Sequence, residues 1–225
     1  MPADTFFISI QATYQSLEIA LFNNDQCIAT ILHEHARASS ALISVLQTIL
    51  QANAVQFSQI AFIAVDAGPG AFTSLRVVIA TVNGIAFTSG MPLVSVSSFE
   101  GFAAQFPDKQ LLVLLNAFNN DVYFAYAAQQ QVLVSGCTKY HQLPLVLPPD
   151  SNQGVVSVVG NGLQAYPQAK EVVGQLFSSY ELLSPTVPSA KAIGLVAYKK
   201  WHDGETVKKI EPLYLKTLVY KEAAK

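Results

Sequence analysis

The sequence predicts an α/β protein in which a mixed β-sheet flanked by helices is built twice. Three observations carry this expectation. The first half opens with three short β-like runs and then alternates helix and strand. Near Phe106-Pro107-Asp108-Lys109 the pattern restarts with three more strands. Of the 225 residues, 51% are hydrophobic and 12% charged, so a large core has to be buried.

Each element has its own signal. Phe6–Gln11, Leu17–Phe22 and Cys27–Leu32 are apolar-rich runs separated by the turn residues Thr13-Tyr14-Gln15 and Asn23-Asn24-Asp25. Ser39 or Ser40 is placed to cap a helix reaching about Ala52, with Leu42, Val45, Leu46, Ile49 and Leu50 at helical spacing. Ile60–Val65 is uncharged and reads as a buried strand, Phe72–Thr88 as a helix, and Leu93–Val96 as a strand. Ser97 or Ser98 opens the next helix.

After the restart, Leu111–Leu115, Val122–Ala128 and Val132–Gly136 read as strands, and the proline-rich Leu143–Asp150 as a loop. Val155–Val159 is a strand, and Gly160-Asn161-Gly162 opens a segment ending near Gln175. Pro188–His202 is a helix with Ser189 at its start. The chain thus divides into a lobe over 1–106 and a lobe over 107–225, with the last residues free to return to the first lobe.

Composition excludes several classes. Net charge is −2 and only two arginines occur, Arg37 and Arg76, so no basic stripe exists to hold a nucleic acid backbone. Cys27 and Cys137 are far apart in sequence and unpaired in spacing, which predicts a reduced, cytoplasmic setting. Asp4 and the lack of basic residues beside it predict no secretory signal. Val77–Phe99 carries no charge, but Asn83, Gly84, Ser89, Gly90 and Pro92 break it into a helix and a strand, so no membrane span is expected.

The most informative stretch is Asp66-Ala67-Gly68-Pro69-Gly70-Ala71-Phe72-Thr73-Ser74-Leu75-Arg76. A Gly-Pro-Gly turn there joins the end of a strand to the start of a helix, where free backbone N–H groups favour anions. Three readings compete: a tight turn without a ligand, a phosphate cradle, or a nucleophile elbow. The stretch fits neither G-x-G-x-x-G nor G-x-x-x-x-G-K-[ST], and no G-x-S-x-G is present. Asp66 reads as a cap for the N–H groups of the turn.

The helix after the turn has Phe72, Leu75, Ile79, Val82 and Ala86 on one stripe, and Val77, Val78 and Ile85 beside it. A helix on one sheet should show a polar outer face. This one needs cover on two sides, from the preceding helix or from a partner subunit.

At family level the chain resembles the bacterial TsaB (YeaZ) proteins. The matching residues are Gly68-Pro69-Gly70-x-Phe72-Thr73-x-Leu75-Arg76, Ala80-Thr81-x-x-Gly84 and Gly90-x-Pro92-Leu93-Val94-x-Val96-Ser97-Ser98. Asn116-Ala117 with Val122-Tyr123-x-Ala125, Val159-Gly160-x-Gly162 and Glu211-Pro212-Leu213-Tyr214-Leu215-Lys216 extend the resemblance over nearly the whole chain. It implies the two-lobed actin-like fold (that of actin, Hsp70 and sugar kinases), in agreement with the internal repeat.

The resemblance also implies a function: a non-catalytic scaffold that pairs with TsaD and recruits TsaE. In that complex a threonylcarbamoyl group is transferred to the adenosine beside the anticodon of tRNAs reading codons that start with A, with TsaC supplying the adenylate. A homodimer through the same surface is expected in isolation, and contact with tRNA only through the complex. The implied interface comprises Leu42, Val45, Leu46 and Ile49 on one helix and Phe72, Leu75, Arg76, Val78, Ile79 and Val82 on the next. Val78, Val82, Leu42 and Val45 are the positions expected to face the partner, so that Val78→Asp would leave a folded monomer.

No catalytic residue, cofactor or metal is expected in this chain. Where the family often has Asp-Thr-Ser after the first strand, the residues are Gln11-Ala12-Thr13, and its Asp-Ala-Arg is Asn116-Ala117-Phe118. Both changes remove charges that magnesium–phosphate chemistry uses. The alternative is a nucleotide-dependent phosphotransferase or ATPase of the same fold, which needs acids at both positions. His33-Glu34-His35 offers two imidazoles without a third ligand, and neither His-x-x-x-His nor His-Glu-x-x-His occurs.

Overall fold

In a computed structural model, which describes residues 4–14, 16–34, 38–147 and 154–216, the first half builds a five-stranded sheet. Its strands are β1 (Phe6–Gln11), β2 (Ser16–Asn23), β3 (Gln26–Glu34), β4 (Ile60–Asp66) and β5 (Leu93–Val96), in the order β3-β2-β1-β4-β5. β1 pairs antiparallel with β2 and parallel with β4. The burial pattern explains the sequence pattern. β1 and β4 are covered on both faces and read as continuous apolar runs, while the edge strand β3 alternates.

The second half repeats this plan. Strands β6 (Gln110–Asn116), β7 (Asp121–Ala128), β8 (Gln131–Lys139), β9 (Val156–Val159) and β10 (Tyr180–Leu182) lie in the order β10-β9-β6-β7-β8. Taken from β8, the order matches that of the first sheet strand for strand. β10 is an addition to the sequence reading. Three residues, two of them exposed, give no alternation to read.

Among the described residues, six α-helices cover the sheets: α1 (Leu42–Ala52), α2 (Phe72–Ser89), α3 (Ser98–Gln105), α4 (Gly162–Ala165), α5 (Ala169–Leu176) and α6 (Ala190–His202). α1 and α2 share one core with Ile8, Ile10, Ile63 and Val65 of the first sheet. The other face of that sheet is covered by α6, whose Ala190, Ile193 and Ala197 meet Phe7, Phe22, Phe62 and Val94. There Phe7 stacks on Phe22 and Phe62 with centroids 4.6 and 4.4 Å away. Meanwhile α3, from the first half, places Phe99 and Phe102 against Leu111, Val113 and Leu115 of the second sheet. The two halves therefore exchange their third helices.

The serine caps fall as expected at two helices. Ser97 accepts from the Glu100 N–H at 3.2 Å while Glu100 accepts from the Ser97 N–H at 2.8 Å, a reciprocal capping box. Ser189 accepts from the Ala192 N–H at the start of α6. At α1 the expectation fails. The N-cap is Ala41, without a side-chain bond, because a 3-10 turn over Ala38–Ala41 feeds straight into the helix. Within the expected loop 143–150, Tyr140–Leu145 forms a 3-10 turn containing Pro144, and 148–150 lie outside the described residues.

The uncharged run from Val77 to Phe99 is split as its breakers predict. Gly90, in the left-handed conformation (φ 71°), caps α2, and β5 follows. By length and composition α2 alone suffices to cross a membrane, yet its inner face is built into the first core.

Candidate functional site

The glycine turn sits between β4 and α2, against the β1–β2 hairpin. Gly68 has φ 100°, and the Gly68–Pro69 peptide is cis. Gly70 is needed for close approach: a Cβ there would lie 2.5 Å from the Thr13 carbonyl oxygen. The Ala71 N–H donates to that same oxygen at 2.6 Å. The corner that an anion would occupy is thus partly filled by the chain's own hairpin, and the ligand-free turn is the reading this packing favours.

Asp66 holds the turn from below. Its Oδ1 accepts from the Gly68 N–H at 2.9 Å and from the Ser98 hydroxyl at 2.8 Å. The Ser98 N–H in turn donates to the Gly68 carbonyl. Burial pushes the Asp66 carboxyl up to about 7, against the pull of the Gly68 N–H and the Ser98 hydroxyl. This is the capping role read from the sequence.

Between the lobes lies an open cleft of about 770 Å³ lined by Tyr14, Ser16, Glu34, Ser74, Asn116, Phe118, Asn161 and Gln164, among others. The amide at Asn116 is not idle. Tyr14, from the first lobe, donates to the Asn116 carbonyl at 2.9 Å. Asn116 Oδ1 accepts from the Phe118 N–H and the Tyr166 hydroxyl, and the Asn116 N–H donates to Asn161 Oδ1. Where metal-bound water would need an acid, these groups satisfy one another and tie the lobes together. Gln11 is buried, donates to the Thr13 hydroxyl at 2.8 Å, and leaves its Oε1 without a partner. Among the described residues, no three His, Cys, Asp or Glu side chains form a metal-holding group. His35 lies outside the described residues, so the His33-Glu34-His35 pair is not placed.

The interface residues divide sharply. Leu42, Val45, Leu46 and Ile49 of α1 and Leu75, Val78, Ile79 and Val82 of α2 are all buried in the core of the first lobe. The expectation that Val78, Val82, Leu42 and Val45 face outward is corrected here: Val78 is 1% exposed and packs inside the chain. Phe72 and Arg76 do face solvent. So do Val77, Ala80, Gly84 and Phe87, which lie outside the interface expected from the sequence; Phe87 is 89% exposed. On α1 the large apolar residue that is exposed is Ile43.

A strap formed by the segment 206–216 returns to this region. Val207 bridges Leu93, and the Ile210 backbone exchanges two hydrogen bonds with the Asn83 side chain at 2.8 and 2.9 Å. The Leu213 N–H donates to the Ala67 carbonyl beside the glycine turn. Tyr214 receives a hydrogen bond from Arg76 Nε at 3.0 Å. Lys216 then crosses to the second lobe, pairing with Asp121 at 2.6 Å, while Lys139 pairs with the same carboxylate at 2.7 Å. Against its partial burial, these two lysines hold the Asp121 carboxyl below the usual carboxylate range. The motif Glu211–Lys216 marked this segment in sequence, but nothing there showed what it touches.

Two duplicated sheets in the same strand order, with a cleft between them and exchanged helices, define an actin-like protein. Residues 33–216 match the family model described as TsaD, tRNA N6-adenosine threonylcarbamoyltransferase. The chain belongs to that family, on its TsaB (YeaZ) side. It is 24% identical over 225 residues to the tRNA threonylcarbamoyladenosine biosynthesis protein TsaB of Escherichia coli K12, covering 94% of this chain and 95% of that one. The TsaB of Haemophilus influenzae is 24% identical over 192 residues, covering 79% of each chain. In structure it is similar to YeaZ from Pseudomonas aeruginosa, with a TM-score of 0.77 and 19% identity over 93% of this chain and 100% of that one. Component A of the (R)-2-hydroxyglutaryl-CoA dehydratase of Acidaminococcus fermentans shares the fold at a TM-score of 0.51 and 12% identity, covering 87% of this chain and 98% of that one.

Proposed function

We propose that this chain is a non-catalytic subunit of the cytoplasmic machinery that makes threonylcarbamoyladenosine in tRNA, pairing with TsaD and, through that pair, with TsaE. The observation that carries this reading is the outer face of α2. Phe72, Val77, Ala80, Gly84 and Phe87 expose apolar or small side chains along a helix whose other face is already packed in the core. Such a face is suited to association, since burying it removes apolar surface from water. Gly84 has open space around the position of a Cβ, which lets a partner backbone approach. The partly filled glycine corner and the mutually satisfied Asn116 network support a role without phosphoryl chemistry. A homodimer through the same face, in the absence of TsaD, belongs to the same reading, and tRNA is met through the complex.

The test uses two substitutions ten positions apart on α2. Val77→Asp and Phe87→Asp place charges on the exposed face, so both variants are expected to fold and to lose binding to purified TsaD. Light scattering and a pull-down read the outcome. Retention of full binding by both variants would show that the partner seats elsewhere.

A further inference from the structure

The Arg76 side chain is held in place before any partner arrives. Its Cζ lies 3.5 Å from the centroid of the Phe72 ring, one turn earlier on α2, and 5.8 Å from that of Tyr214 on the strap. Its Nε donates to the Tyr214 hydroxyl at 3.0 Å. Both rings and the hydroxyl therefore fix the plane of the guanidinium. Among the described residues, no carboxylate lies within ion-pair distance of it. Its terminal nitrogens, the fork that recognises a carboxylate with two parallel bonds, carry no hydrogen-bond partner among the described residues. Beside it runs a groove of about 470 Å³ between α2 and the strap, lined by Ala80, Asn83, Lys209, Glu211 and Pro212 among others.

We propose that Arg76 is an ionic anchor for a protein partner, receiving a carboxylate side chain from a polypeptide seated against the outer face of α2. This rests on the pairing reading above and names the chemistry that the partner must bring. The surroundings favour a carboxylate on a protein over a phosphate on a nucleic acid. The flanking residues Val77 and Ala80 are exposed and uncharged, and the nearby Lys209 is paired with Glu211 at 3.3 Å. A single uncompensated cation on an apolar face suits one buried ion pair at an interface, whereas a nucleic acid backbone calls for several cations in a row. Because the clamp has already restricted the side chain, less freedom is lost when the pair forms.

The experiment titrates purified TsaD against the wild-type chain, Arg76→Ala, Arg76→Lys and Tyr214→Phe by calorimetry, at low and high salt. Circular dichroism checks that each variant is folded. Arg76→Ala is expected to weaken binding by at least about tenfold. Arg76→Lys should recover only part of the loss, because a point charge lacks the planar fork. Tyr214→Phe keeps the ring and removes the hydroxyl, so a loss of only a few-fold is expected, and the gap between wild type and Arg76→Ala should narrow at high salt. Equal affinity of wild type and Arg76→Ala, or full recovery by lysine, overturns the anchor while leaving the pairing intact. Binding of tRNA by the wild-type chain alone, with a salt dependence that Arg76→Ala reduces, also overturns it in favour of a phosphate. Failure of the wild-type chain to bind TsaD at all overturns the pairing itself, and the anchor with it.

Discussion

The carbonyl oxygen of Thr13 stands 2.5 Å from the point where a Cβ on Gly70 would lie. The first hairpin and the glycine turn are therefore in backbone contact, and any side chain at Gly70 has to push them apart. Gly70→Ala is expected to lower stability by about 1–3 kcal/mol, the usual range for overpacking. Urea unfolding followed by circular dichroism measures it, and an unchanged midpoint would contradict the packing.

Val77 and Val78 offer a controlled pair. They are 40% and 1% exposed on the same helix. Val78→Asp buries an unpaired charge in the first core, so it should unfold the chain or cost several kcal/mol. Val77→Asp should melt within about 0.5 kcal/mol of wild type, as surface changes do. Thermal melts of the two side by side settle which way the helix faces.

Asp66 gives a dependence on pH. Burial pushes its carboxyl from an ordinary value near 3.8 up to about 7 in the folded chain. The folded state thus holds the proton more tightly, and the stability it contributes is complete below about 3.8 and lost as pH rises toward 7. Asp66→Asn imitates the protonated acid, with Ser98 free to turn its hydroxyl toward the Pro69 carbonyl at 3.3 Å. Relative to this variant, wild type is expected to lose on the order of 2–3 kcal/mol between pH 5 and pH 8, at about 1.4 kcal/mol per pKa unit. Urea midpoints at both pH values test this; a difference that stays constant across them would show that Asp66 is ionised throughout.

Tyr14 and Asn116 are 102 residues apart, and their hydrogen bond spans the cleft. Tyr14→Phe removes that donor and is expected to cost about 1 kcal/mol. Hydrogen exchange should quicken at the amides of Asn116 and Phe118, which belong to the same network. Unaltered exchange there would mean that the remaining bonds hold the loop alone.

Much of this fold is legible in the sequence, for a physical reason. Ile60–Asp66 is buried on both faces, so its apolar run needs no phase to be recognised as a strand. Ser97 with Glu100 is a local signal that needs no tertiary partner. The orientation of α2 is a different matter. With valines at both 77 and 78, the sequence carries no contrast between the core side and the outer side. The sheet decides which is buried, so Val78 lies in the core and Val77 outside. In sequence Tyr14 and Asn161 are legible only as parts of turns, because their partner Asn116 is distant in the chain. The clamp on Arg76 was hidden for the same reason, since Tyr214 comes 138 positions later.

The exchange of α3 and α6 has a consequence for how the chain is made. On the ribosome, the strands of the first sheet emerge early, with Phe7, Phe22 and Phe62 among them. The helix that covers these rings begins at Ala190, and the strap that fastens α2 ends at Lys216. Until residues 190–202 have emerged, one apolar face of the first sheet has no cover of its own. A nascent chain halted after residue 189 would present that aromatic face to chaperones, and emergence of residues 190–216 would be the step that commits both halves to their native form.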